Sequence, residues 1–101
     1  MLDVLLLFPR QSDASEVDAF LTQRLIPALT TAKGIRSLHL SQGTIMSRGE
    51  APPYSRILEA SFDSLADWWA VVEASMGQPA DRETFDRLAP LVIFYEVTEP
   101  R

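Results

Sequence analysis

Apolar residues recur along this chain with two periods. From Leu2 to Phe8 nearly every position is apolar, and Pro9 ends the run. A short continuous apolar run predicts a strand buried on both faces, hence a central one. The period then changes. Val17, Phe20, Leu21, Leu25, Ala28 and Leu29 fall at three- and four-residue steps, one face of an amphipathic helix. Asp13, with Glu16 three residues on, has capping-box spacing at its start. Pro27 is expected to kink or stop the helix near its end, before Lys33-Gly34 breaks the chain.

From Ile35 to Gln42 the period is two. Arg36, Leu38 and Leu40 share one parity; Ile35, Ser37, His39 and Ser41 share the other. Thr44-Ile45-Met46 is read as a possible extension of this strand, before a loop through Gly49, Pro52 and Pro53. Tyr54 to Phe62 forms the next strand, with Leu58, Ala60 and Phe62 on its apolar parity. Two strands so close in sequence predict an antiparallel hairpin. Asp63-Ser64 caps a second helix with the stripe Leu65, Trp68, Trp69, Val72 and Met76, and Gly77 is its expected stop. A short helix follows from Pro79 to Leu88, closed by Pro90. Leu91 to Val97 is a last apolar strand, and Glu99-Pro100-Arg101 a tail.

The order β-α-β-β-α-β over residues 1–101 predicts one α+β domain of ferredoxin-like architecture, a four-stranded antiparallel sheet with its helices on one face. Leu5, Leu7, Ile57, Ile93 and Tyr95 then fall on the uncovered face. A contiguous apolar sheet face marks an interaction surface. A second copy, packed sheet to sheet about a two-fold axis, is the simplest cover, so a homodimer is expected.

Composition narrows the function classes. The chain has 101 residues, net charge −5 and no Cys. Disulfides, thiol nucleophiles and Cys-ligated metals are excluded. The acidic balance argues against nucleic-acid binding. No apolar run approaches the roughly 18–20 residues of a membrane span, and no leader pattern opens the chain, so the cytoplasm is the default location. No phosphate-binding Gly loop, Gly-x-Ser-x-Gly elbow or paired metal-ligand His occurs. No metal and no cofactor are expected.

Four stretches resemble a known family. Val4-Leu5-Leu6-Leu7-Phe8-Pro9-Arg10, Arg24-Leu25-Ile26-Pro27-Ala28-Leu29, Gly34-Ile35-Arg36, and Ala51-Pro52-Pro53-Tyr54 with Ser61-Phe62-Asp63-Ser64-Leu65 look like successive parts of the EthD-like proteins. These belong to the dimeric α+β barrel superfamily, and the first is named for ethyl tert-butyl ether degradation. The resemblance implies a homodimer whose two sheets form a barrel with small-molecule cavities. It implies relatives among cofactor-independent monooxygenases, muconolactone isomerases, polyketide cyclases and haem-degrading enzymes. The family often carries a His two residues before the Pro that ends its first helix; here that position is Leu25. No predicted helix carries any His, which sets haem degradation aside.

The candidate chemistry is sparse. His39, the single imidazole, shares a predicted facing with Glu59 on the neighbouring strand. As a cross-strand pair they are the candidate catalytic residues, with His39 a general base next to a substrate carbonyl. A hydrogen-bonded His at a dimer interface and a structural ion pair for Glu59, with Arg36, Arg56 or His39, are the competing readings. Trp68 and Trp69 point about 100° apart, so one enters the core and the other sits at its margin. Trp68 is a candidate substrate-binding wall. Tyr54 and Arg48, beside the rigid Pro52-Pro53 pair, are candidates to gate a cavity mouth and bind an anionic substrate; a loop-anchoring Tyr is the alternative. Three functions remain open: a cofactor-independent enzyme (isomerase, cyclase or monooxygenase) on a small hydrophobic carbonyl compound, a non-catalytic binder of a small hydrophobic ligand, and a dimer without ligand.

Overall fold

The computed structural model describes residues 1–50 and 52–98. Ala51 and the tail read from Glu99 to Arg101 lie outside the described residues. Four strands, β1 (Leu2–Pro9), β2 (Ile35–Leu40), β3 (Tyr54–Phe62) and β4 (Leu91–Glu96), form one antiparallel sheet in the order β2-β3-β1-β4. The helices α1 (Ala14–Phe20), α2 (Ile26–Thr30), α3 (Leu65–Met76) and α4 (Pro79–Leu88) complete the chain order. β2 and β3 make the expected antiparallel pair, and β1 and β3 are the two central strands.

Burial along β1 alternates strictly. Leu2, Val4, Leu6 and Phe8 are buried under the helices, while Asp3, Leu5 and Leu7 on the other face are only half-buried. The continuous apolar run had suggested burial on both faces. Within one chain the helices cover only one of them. Phe62, Leu58, Val17, Leu21, Leu29 and Leu88 fill the core between sheet and helices.

The first helical stretch is not a uniform α-helix. Asp13 caps α1 by accepting from the Glu16 N–H at 3.0 Å, as its spacing predicts. Its carboxyl is held below the usual carboxylate range, first by the Ser15 hydroxyl and next by the Glu16 N–H. Residues Leu21–Leu25 then form a π turn, in which the Ile26 N–H reaches back to the Leu21 carbonyl. Pro27 lies beyond this turn, inside α2, and does not stop the helix. Proline has no N–H, and its ring crowds the carbonyl four residues earlier, here that of Gln23. A widened turn just ahead of it relieves that contact, and helical hydrogen bonding resumes to Thr30.

Two further boundaries differ from the sequence pattern, and the stop of α3 at Gly77 falls where the pattern puts it. Thr44 to Met46 are not strand. β2 ends at Leu40, and Gly43, at φ +74°, turns the chain away. Gly77 stops α3 in a right-handed conformation; the left-handed cap belongs to Ala89 after α4, at φ +50°, with Pro90 behind it. β4 ends at Glu96, although the Val97 N–H still donates to the Met1 carbonyl. α4 is fastened to α1 and the π turn by Arg24–Asp81 and Arg87–Glu16 ion pairs and by Ser12 Oγ donating to the Leu88 carbonyl at 2.8 Å. The ion pairs hold both guanidinium groups above their ordinary value, chiefly through the hydrogen bonds to Asp81 and Glu16.

Candidate functional site

The registers lay out the uncovered sheet face row by row. One row runs His39, Glu59, Leu5, Ile93 across β2, β3, β1 and β4; the next runs Ser37, Ser61, Asp3, Tyr95. The His39–Glu59 cross-strand adjacency is therefore present. No hydrogen bond or ion pair joins the two side chains among the described residues, and His39 is exposed on the edge strand. Arg36 and Arg56 are not partners of Glu59: Arg36 binds Asp63 at 2.8 Å and Arg56 binds Asp18 at 3.0 Å. Ser61 Oγ donates to Asp3 Oδ1 at 2.6 Å on the same face. Apart from Ile57, the β2–β3 side of this face is polar, with Ser37, His39, Glu59 and Ser61. The β4 side is apolar, with Ile93 40% and Tyr95 45% exposed.

On the opposite side of the sheet lies an apolar pocket of about 210 Å³. Leu6 of β1, Leu25 of the π turn, Trp68 and Val72 of α3, Phe85 of α4 and Val92 of β4 line it. Trp69 and Phe94 stand at its margin, half-exposed, with rings 5.7 Å apart at 76°. Trp68 is buried beside Phe62 while Trp69 is not, the division that their 100° separation predicts. Ser75 is the one hydroxyl side chain in the lining, and no titratable side chain lines it. The Trp68 Nε1–H is buried with no hydrogen-bond partner. Such an orphan donor costs about 1–3 kcal/mol and calls for a partner. The sequence marked Trp68 but gave no sign that Phe85 and Val92 border a pocket. Their periodicity is that of any packed residue, and only the tertiary arrangement shows that they line one pocket with Trp68 and Val72.

Tyr54 lies elsewhere, in a surface cleft with Arg10, Gly43 and Thr44. Arg48 is exposed and does not line that cleft; Arg10, at the end of β1, does. Trp68, Tyr54, Arg48 and the His39–Glu59 pair thus do not converge on one site. Among the described residues no three His, Cys, Asp or Glu side chains gather as metal ligands, and no helix is long and apolar enough to cross a membrane.

This antiparallel sheet with helices on one face is the ferredoxin-like fold of the dimeric α+β barrel proteins. The particular likenesses run nearly end to end. An EthD family protein from Bacillus halodurans C-125 is 15% identical, with 97% of this chain and 99% of that one covered and a TM-score of 0.70. SnoaB, a cofactor-independent oxygenase from Streptomyces nogalater, is 11% identical over 98% of this chain and 94% of its own, at TM-score 0.65. A dimeric ferredoxin-like protein from Thermobifida fusca YX is 13% identical over 95% of this chain and 90% of its own, at TM-score 0.61. No family model and no curated protein matches the sequence. The likeness to EthD-like proteins is one of fold, and a fold does not name a reaction.

Proposed function

We propose that this chain is a homodimeric α+β barrel enzyme of the cofactor-independent type, acting on a small hydrophobic carbonyl compound seated in the apolar pocket. The observation that carries this reading is the apolar pocket itself, one wall of which is Trp68, whose buried Nε1–H has no partner and is shut off from the pocket space. A turn of the Trp68 ring on ligand entry would present that donor to a carbonyl oxygen in the pocket. The hydrogen bond strengthens if the oxygen gains negative charge during reaction, because a dry, low-dielectric site magnifies it. A 150 Å³ apolar cavity is enough for benzene. At about 210 Å³ this pocket suits a ligand of one or two rings. The cofactor-independent oxygenase from Streptomyces nogalater, built on the same fold, supports the enzyme class. The apolar half of the uncovered sheet face, and the dimeric protein from Thermobifida fusca, support the homodimer.

A second reading is a non-catalytic binder. It is favoured by the absence of a titratable side chain from the pocket lining, where Leu25 occupies the position at which the family resemblance puts a His. His39 and Glu59 lie across the sheet from this pocket and do not reach a ligand in it, so acid–base work by them is assigned instead to a substrate held in the space between the two sheets.

Native mass spectrometry of the freshly purified protein reads assembly and retained ligand together. The expected result is a dimer carrying a reproducible extra mass, reduced in Trp68→Phe, which keeps the packing and removes the donor. Loss of one hydrogen bond of about 0.5–1.5 kcal/mol weakens binding roughly 2- to 13-fold. A monomer overturns the dimer, and equal retention by Trp68→Phe overturns the site. Conversion of the retained compound on return to the protein separates enzyme from binder; unchanged turnover in both His39→Ala and Glu59→Gln removes their acid–base role.

A further inference from the structure

The cleft that holds Tyr54 shares none of its lining with the apolar pocket. It opens because β2 is shorter than β3. Their ladder ends at Leu40 opposite Leu58, followed by Ser41, whose N–H donates to the Ile57 carbonyl and whose Oγ accepts from the Ile57 N–H. Beyond that point Tyr54, Ser55 and Arg56 have no strand on this side. Gly43, Thr44 and Ile45 stand off from them across a cleft of about 350 Å³.

We propose that this cleft binds a small oxyanion, the carboxylate or phosphate group of a small molecule, with the Arg10 guanidinium and the Tyr54 hydroxyl as its principal donors. Its lining contains two arginines and three hydroxyl side chains, those of Thr44, Tyr54 and Ser55, and no carboxylate. In a chain with 14 acids against 9 Lys and Arg, a cleft so composed stands out from the mixed surface. Arg24, Arg36, Arg56 and Arg87 each hold a carboxylate. Arg10 holds none among the described residues, so its planar fork is free for bidentate contact with an oxyanion. Arg56 is engaged with Asp18 and the Ser55 carbonyl and adds only part of its charge. The two principal donors stand on anchored backbone: Pro9 is in register with Tyr54, and the Arg10 N–H donates to the Pro53 carbonyl at 2.9 Å.

The test is an amide and side-chain NMR titration of the full chain with inorganic phosphate and, separately, with acetate. The expected result is a saturable set of shifts confined to residues 10, 43–45 and 54–56. Arg10→Ala should weaken binding about tenfold, since a hydrogen bond to a charged group is lost. Tyr54→Phe should weaken it severalfold, and Arg82→Ala on α4 should leave it unchanged. Saturation by phosphate alone assigns a phosphate group to the site, and by acetate alone a carboxylate. No shift with either anion, shifts that grow linearly over all the arginines, or a titration indifferent to Arg10→Ala overturns the proposal.

Discussion

Single residues differ in how replaceable they are, and Gly34 is among the least. Its φ is +81°, and a Cβ there would collide with Asp67 Oδ2. Asp67 is held in turn by the Ser64 hydroxyl at 3.1 Å. Gly34→Ala therefore meets two obstacles, a left-handed backbone and a displaced carboxylate. Its expected cost is about 1–2 kcal/mol, read as a lowered urea midpoint with an unchanged slope. A change within about 0.5 kcal/mol, the range of a neutral surface substitution, would contradict it. Trp68 illustrates the other limit of residue-scale reading. Spacing alone gives that one of Trp68 and Trp69 turns inward, and the structure shows that it is Trp68. That its Nε1 lacks a partner depends on which atoms of other elements come near, and no local pattern carries that.

At the scale of elements, the strands and their order were legible because each has its own period and its own stops. Asp13 and Ser64 announced their helices, and both side chains cap them in the structure. Ser64→Ala removes the acceptor for the Asp67 N–H and should cost about 1 kcal/mol, whereas Ser64→Thr, which keeps the hydroxyl that both accepts from the Asp67 N–H and donates to its carboxylate, should retain most of the stability; thermal or chemical denaturation of the pair tests this. The π turn at Leu21–Leu25 was not legible. Val17, Leu21 and Leu25 keep helical spacing through it, so the apolar stripe conceals the wider turn, and Pro27 signals a disturbance without its form. The candidate site was half legible for the same reason. His39 and Glu59 could be paired from parity, because parity survives as long as the register does. Arg10 was passed over because its cleft depends on where β2 stops, and Thr44 to Met46 read like more strand.

The whole molecule is a slab, 41 × 33 × 17 Å, one sheet and one layer of helices thick. Such a slab leaves one sheet face open, and here the face grades from polar at β2 to apolar at β4. Ile93→Lys puts a charge on the apolar half without touching the helix-side core. It should convert the proposed dimer to a folded monomer in sedimentation, while Glu73→Lys on the exposed side of α3 should not. A dimer that survives Ile93→Lys would place the contact elsewhere. The gradient also fixes a count. A two-fold axis lying across the strands stacks like on like, β4 on β4 and β2 on β2, with a dry seam at one margin and a wet slot at the other. Both protomers would border that slot, so a ligand held there by His39 and Glu59 would bind once per dimer. The pocket behind each sheet would bind twice. Stoichiometry alone, read from a titration of the dimer, therefore distinguishes the two faces of the sheet.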